Sequence, residues 1–199
     1  MRAVAAPFGG VRVESATGTL AVNGGGTLAE LERFYLAPPG PPVAMILTTE
    51  HLHRSRNAAE FSDRHGIPLI GSLIALARLH VRTPNAHGIL PPRRLTAGQF
   101  DLDLFHVRYD SLDPFALTVA AEGETLGIVP DGKLSEKYPE ALQKLRGCQK
   151  LFLGNKMDRP PAASRYLFLR CRSCYNTSAE LAEIFRDHRG ELTIDPNCH

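Results

Sequence analysis

The sequence has few cysteines and no long apolar segment. Four cysteines in 199 residues are too few for a disulfide scaffold, so a reducing compartment would keep them as thiols unless a metal binds them. No apolar run approaches the roughly 18 residues that a membrane span needs. Residues 1–10 also lack the apolar stretch and cleavage pattern of a signal peptide. We therefore expect a cytoplasmic protein that does not bind membranes.

The chain also has little excess charge of either sign. The formal net charge is +2 and the pI is about 8.4, so a nucleic-acid partner is possible but not indicated, because charge-driven binding needs a concentrated basic face. Hydrophobic residues make up 43% of the chain and charged residues 22%, which is typical of a globular protein. The length fits one domain, and no repeat of fixed period is present. We expect a single domain over residues 1–199.

Hydrophobic patterning predicts alternating strands and helices in layers, an α/β or α+β class. Apolar alternation around 11–13 and 20–22 predicts two strands before a turn at 23–26, and the run 43–48 predicts a buried strand. Residues 81–92, rich in proline and glycine, are predicted to be a loop. The other predicted strands are 68–70, 102–107, 116–121, 125–129 and 151–153, and the predicted helices are 28–35, 55–65, 72–80, 135–145 and 178–188.

Several segments carry a family resemblance. Ile46–Arg54 follows a buried strand and resembles the H-x-H-x-D-H segment of the metallo-β-lactamase superfamily. Leu20–Gly25 resembles the family's strand that ends in Asp-x-Gly, with Asn23 at the aspartate position. The resemblance continues through three further segments, in order along the chain: His65–Ile70, Tyr109–Pro114 and Ile128–Gly132. It implies a four-layer αββα sandwich, here shortened, of the small single-domain hydrolase branch.

The resemblance also implies a cleft that binds two metals and activates a water molecule between them. The equivalent cleft positions in this sequence are Thr49, His51, His53, Arg54, Tyr109, Asp131 and Ser173. Only His51 and Asp131 match the family's ligands strictly. Arginine stays protonated and cannot coordinate a metal, so the resemblance implies a degenerate site without an intact two-zinc centre.

Cysteine supplies a second metal pattern. Cys171 and Cys174 are separated by two residues, and two such thiolates can bind one zinc, but they make only half of a structural site. The candidate metal ligands are His51, His53, Asp131, Cys171 and Cys174. The alternative is that these cysteines are reduced thiols, with Cys148 in the core.

Asp131 would need a partner if no metal were bound, because an isolated buried carboxylate is unfavourable by several kcal/mol. Arg54 is the natural candidate, since its guanidinium can form a bidentate pair with a carboxylate. The alternative places Arg54 on the solvated face of the following helix.

The expected function is that of a pseudoenzyme, a binding or scaffold protein without catalysis or cofactor, whose cleft or face takes a protein partner or a small anionic ligand. The alternative is a hydrolase of phosphodiester or other ester substrates with one zinc or manganese on His51, His53, Asp131 and Cys174. A third possibility is an assembly protein that presents its proline loops at 38–42 and 91–92.

Overall fold

The computed structural model describes residues 1–154, 157–158, 169 and 172–194 as two facing six-stranded sheets with helices outside them. The first sheet contains, in spatial order, β1 (Arg2–Ala5), β2 (Val11–Glu14), β3 (Thr19–Val22), β4 (Pro42–Leu47), β5 (Leu69–Ser72) and β6 (Ala86–Ile89). The second contains β7 (Arg93–Ala97), β8 (Phe100–His106), β9 (Phe115–Ala121), β10 (Glu124–Val129), β11 (Lys150–Leu153) and β12 (Glu191–Ile194). The helices are α1 (Leu28–Tyr35), α2 (Leu52–Ser55), α3 (Ala58–His65), α4 (Leu73–Arg78), α5 (Pro139–Arg146) and α6 (Ser178–Ile184).

Three apolar layers hold these elements together. The central layer lies between the sheets, where side chains such as Ile46 and Phe115 meet. Outside the first sheet, Leu31 and Phe61 of α1 and α3 pack against it, and Leu142 of α5 packs against the second sheet. Each layer buries one face of an alternating or amphipathic element, which confirms the predicted αββα sandwich. No helix in the described part of the chain has the length and apolarity to cross a bilayer.

Local signals set several boundaries. A capping box between Thr27 and Glu30 begins α1, and an equivalent one between Thr177 and Glu180 begins α6. Gly66 ends α3 in the left-handed conformation, at φ 63°, as the sequence predicts.

The predicted loop over 81–92 is wrong in its second half. Residues 86–89 form the edge strand β6, which pairs in parallel with β5, and β7 follows directly after Pro92. The edge strands β1, β7 and β12 were also not predicted. All of these strands are short. They are extended because they pair with a neighbouring strand, and not because of an apolar alternation of their own. The helix predicted from 135 begins at Pro139, because proline favours the first helical position. The last helix ends at Ile184 rather than at 188.

The sheet topology gathers loops at one edge. Strands β3 to β6 run in parallel, so the loops after them emerge at the same edge of the first sheet. Strands β8 and β10 are each antiparallel to β9 and therefore end together in the second sheet. The amide of Phe115 donates to the carbonyl of Thr48, 3.3 Å away, which joins the two edges. Ligand sites in α/β proteins typically lie at such carboxyl edges.

Candidate functional site

The segment after β4, residues 48–54, which runs from a loop into the short helix α2, carries most of the predicted cleft residues. Its start is held by Asn23 at the end of β3, whose side-chain oxygen accepts hydrogen bonds from the amide and the hydroxyl of Thr48, both at 3.0 Å. Asn23 is buried with φ 64°. These bonds fix the direction in which the chain leaves the sheet.

A close backbone contact fixes the other end of the loop. The amide of Gly24 donates to the carbonyl of Arg54 at 2.6 Å. A Cβ atom on Gly25 would lie 1.7 Å from the carbonyl oxygen of His53, so only glycine allows the turn after β3 to pack this closely. The turn and the loop therefore form one rigid unit.

Arg54 lies at the floor of the cleft and pairs with Asp131, which follows β10. Its Nη2 atom donates to Asp131 Oδ1 at 2.7 Å, and the side chains are only 10% and 4% exposed. The predicted pair is thus confirmed, and the solvated-face alternative for Arg54 is wrong. The bidentate geometry is also wrong, because Asp131 Oδ2 is buried and accepts no hydrogen bond from the described residues.

The other terminal nitrogen of the Arg54 guanidinium binds a different loop. Nη1 of Arg54 donates to the carbonyl of Gly9, 2.7 Å away, in the loop between β1 and β2. Gly9 has φ +75°, and a Cβ atom there would lie 1.6 Å from Nη1. The guanidinium is therefore shared between a carboxylate of one sheet and a backbone loop of the other.

Four rings lie at the mouth of the cleft. The imidazoles of His51 and His53 are stacked, with centroids 5.6 Å apart and planes 22° apart. The ring of Tyr109 contacts His51 edge-on at 5.1 Å and Tyr175 edge-on at 5.7 Å. The hydroxyls of Tyr109 and Tyr175 are hydrogen-bonded at 2.8 Å. The structure thus brings together side chains from three separate loops.

Polar contacts surround these rings. His51 Nε2 lies 3.1 Å from Asp110 Oδ1, and both side chains are 22% exposed. Ser111 donates to the carboxylate of Glu50, and the Leu112 amide donates to the same carboxylate at 3.0 Å. Thr49 donates to the Ser111 hydroxyl at 3.0 Å. The loop before β9 is thereby tied to the loop after β4.

Burial, neighbouring charges and hydrogen bonds shift the pKa values of three side chains in the cleft. Loss of hydration, followed by the charge of Arg54, lowers the pKa of His53 below its ordinary value of 6.5. Burial, followed by the charge of Asp131, raises the pKa of Tyr109. Partial burial acts to raise the pKa of Glu50, but the hydrogen bonds from Ser111 and from backbone amides outweigh it and lower the pKa. His53 and Tyr109 are therefore neutral at pH 7, and Glu50 is ionised.

The remaining predicted site residues are Ser173 and the cysteines. Ser173 lies beside Cys174, with Ser173 Oγ 3.5 Å from Cys174 Sγ, and Cys174 is buried. Cys171 lies outside the described residues, so its predicted role stays a prediction. Cys148 is buried in the core layer under α5, as predicted. The sequence contained no signal for Gly9 or Tyr175 in the cleft, because both come from segments without a matching motif.

The described residues of the cleft do not fit the two-metal centre that the resemblance implies. A guanidinium lies 2.7 Å from Asp131 Oδ1, in the region where a cation bound to this carboxylate would lie. Within the described ranges, no three His, Cys, Asp or Glu side chains are placed so that they could hold a metal ion together. In the described residues, the cleft therefore contains an ion pair with aromatic rings beside it.

Comparison with known proteins identifies the fold. No family model and no curated protein matches the chain. The metallo-β-lactamase fold protein YhfI from Bacillus subtilis superposes with a TM-score of 0.67 and 16% identity, over 94% of this chain and 87% of YhfI. The short form of human tRNase Z gives a TM-score of 0.66 at 12% identity, over 96% and 90% of the two chains. A diphosphatase from the PhnP family gives 0.65 at 12%, over 93% and 72%. The chain has the metallo-β-lactamase fold.

Proposed function

We propose that this protein uses its metallo-β-lactamase-type cleft to bind a ligand or partner and does not carry out metal-dependent hydrolysis. The observation that carries the proposal is the buried ion pair between Arg54 and Asp131. In this proposal the pair supplies, as fixed protein charge, the positive partner that the carboxylate would otherwise take from a metal.

The charge of Arg54 opposes a metal in two ways. The guanidinium cannot be deprotonated near neutral pH, and its Nη2 atom already bonds Oδ1 of Asp131. At about 4 Å and an effective dielectric of about 20, two like unit charges repel by about 4 kcal/mol, so a dication would lose about 8 kcal/mol. Zinc binding to a structural site is favourable by about 10 to 16 kcal/mol, and such a site has a full set of ligands. The incomplete ligand set here leaves little binding energy against this repulsion.

The cleft itself supports a binding role. It lies at the carboxyl edge of parallel strands, and its loops are locked by Asn23, Gly25 and the Ser111 to Glu50 hydrogen bond. Such locked loops present side chains at fixed positions, which lowers the entropy lost on binding.

Metal analysis tests the proposal directly. The full chain, purified without chelator, should contain zinc and manganese far below one ion per chain. It should also hydrolyse bis(p-nitrophenyl) phosphate no faster after either metal is added. A stoichiometric metal, with hydrolysis that Asp131→Asn abolishes, would establish instead the single-metal hydrolase built on His51, His53, Asp131 and Cys174.

A gain-of-binding variant sharpens the test. The triple variant Thr49→His, His53→Asp and Arg54→His supplies the ligand types that the family resemblance implies, so it should bind zinc where the parent chain does not. The matched control is Arg64→His, which places a new histidine on an exposed helix surface. Zinc binding by the parent chain as tight as that by the triple variant would contradict the proposal.

A further inference from the structure

We propose that the cleft takes a small ligand through a planar heteroaromatic ring, such as a nucleobase, which stacks on His53 and the neighbouring rings. The inference rests on the proposed binding function and names the chemical class of its ligand. The ring cluster of His51, His53, Tyr109 and Tyr175 carries it.

The arrangement of the cluster leaves ring surface for a ligand. His53 is exposed, and its one described ring contact is the stack on His51. His51 is held by Asp110 at 3.1 Å and by the edge of Tyr109, so the lower ring of the stack is fixed. A third planar ring can extend an existing stack without moving either histidine, and offset stacking at 4.5 to 7 Å between centroids is favourable.

Apolar side chains extend this surface. Leu52 is 60% exposed and directly follows His51, and Leu112 is 62% exposed beside the Glu50 carboxylate that its amide contacts. Both leucines are adjacent in sequence to residues that contact the cluster or its loops, and exposed apolar side chains near a cleft are typical of binding sites. Small-molecule sites are typically apolar and aromatic with a few polar groups that orient the ligand.

The charges of the cleft favour a neutral or donor-rich ring over an anion. The charge of Arg54 is already matched by Asp131 at 2.7 Å. Among the described residues, the carboxylates of Asp110 and Glu50 also lie close to His51, and carboxylate oxygens accept hydrogen bonds from ring N–H and amino groups.

Calorimetric titration of the full chain, treated with chelator, tests the inference. Adenosine should bind, whereas ribose 5-phosphate and inorganic phosphate, which lack an aromatic ring, should not. His53→Ala removes the ring on which the base stacks and should weaken adenosine binding about tenfold. His53→Phe keeps an aromatic ring and should retain the affinity.

A control variant and three outcomes decide the question. His87→Ala removes an exposed imidazole on the edge strand β6 and should leave adenosine binding unchanged. The inference is overturned if no probe binds, if phosphate or ribose 5-phosphate binds as well as adenosine, or if His53→Ala and His53→Phe bind equally. Circular dichroism verifies that each variant is folded. Metal found in the untreated protein would overturn the proposed function alone, because the titration is made without metal.

Discussion

Two arginine–carboxylate pairs in this protein differ mainly in burial. Arg54 and Asp131 are 10% and 4% exposed at 2.7 Å, whereas Arg64 and Glu60 on α3 are 53% and 57% exposed at 3.2 Å. Water solvates the outer pair whether or not it forms, so the pair contributes little. The inner pair has lost that hydration, and each charge depends on the other. Removal of one partner should therefore matter little on the surface and much at the cleft floor.

Hydroxyl groups show the same contrast. Tyr35 is fully buried, and its hydroxyl lies 2.9 and 2.7 Å from the carbonyl oxygens of Val22 and Asn23. Thr27 caps α1 at the surface, where water can replace its side chain. Buried donors that support the cleft should thus matter more than exposed ones with equally good geometry.

The largest effect is expected for Arg54→Met. It leaves the Asp131 carboxylate buried without its cation and should lower the free energy of unfolding by about 3 to 5 kcal/mol. Urea unfolding at pH 7, followed by circular dichroism, measures the change.

The matched control is Arg64→Met, which should change the free energy of unfolding by at most about 0.5 kcal/mol. The double variant Arg54→Met and Asp131→Leu should regain much of the lost stability, because it removes the orphaned charge as well. Equal effects of the two single arginine variants would show that burial does not distinguish the pairs.

Tyr35→Phe should have the next largest effect. Removing the hydroxyl leaves the carbonyls of Val22 and Asn23 without this donor in the interior, which should lower the free energy of unfolding by about 1 to 3 kcal/mol. Thermal and urea unfolding would detect it, and a neutral result would mean that water reaches these carbonyls.

A smaller effect is expected for Thr27→Ala. It removes the side-chain acceptor for the Glu30 amide and should lower the free energy of unfolding by about 1 kcal/mol. If Thr27→Ala proved more destabilising than Tyr35→Phe in the same urea assay, the contrast between buried and exposed hydroxyls would be wrong.

The smallest expected effect is the pH dependence of stability that comes from His53. Because the folded pKa of His53 lies below 6.5, the unfolded chain takes up its proton first as the pH falls. The stability associated with this group is therefore complete above pH 6.5 and is lost as the pH falls below it towards the folded pKa. NMR titration of the imidazole should place the pKa below 6.5, and Arg54→Met should raise it. If Arg54→Met left the pKa of His53 unchanged, the charge of Arg54 would not be a cause of the shift.

Part of the fold was predictable because local rules govern it. The apolar run of β4, the turn after β3 and the glycine cap of α3 each follow from the conformational preferences of a few adjacent residues. The edge strands β1, β6 and β12 were not predictable in this way, because neighbouring strands supply the hydrogen bonds that make them extended. The same distinction holds in the cleft, where the Arg54 to Asp131 pair was predicted and the Gly9 contact was not.

By itself the sequence determined which residue types could meet at the carboxyl edges of the sheets, including a permanent cation at 54 and a carboxylate at 131. Only the tertiary structure decided how that cation divides its hydrogen bonds and which rings gather above it. The physical reason is range: patterning acts over a few residues along the chain, whereas the contacts of Arg54 with Gly9 and Asp131 span 45 and 77 residues and form only when both sheets pack.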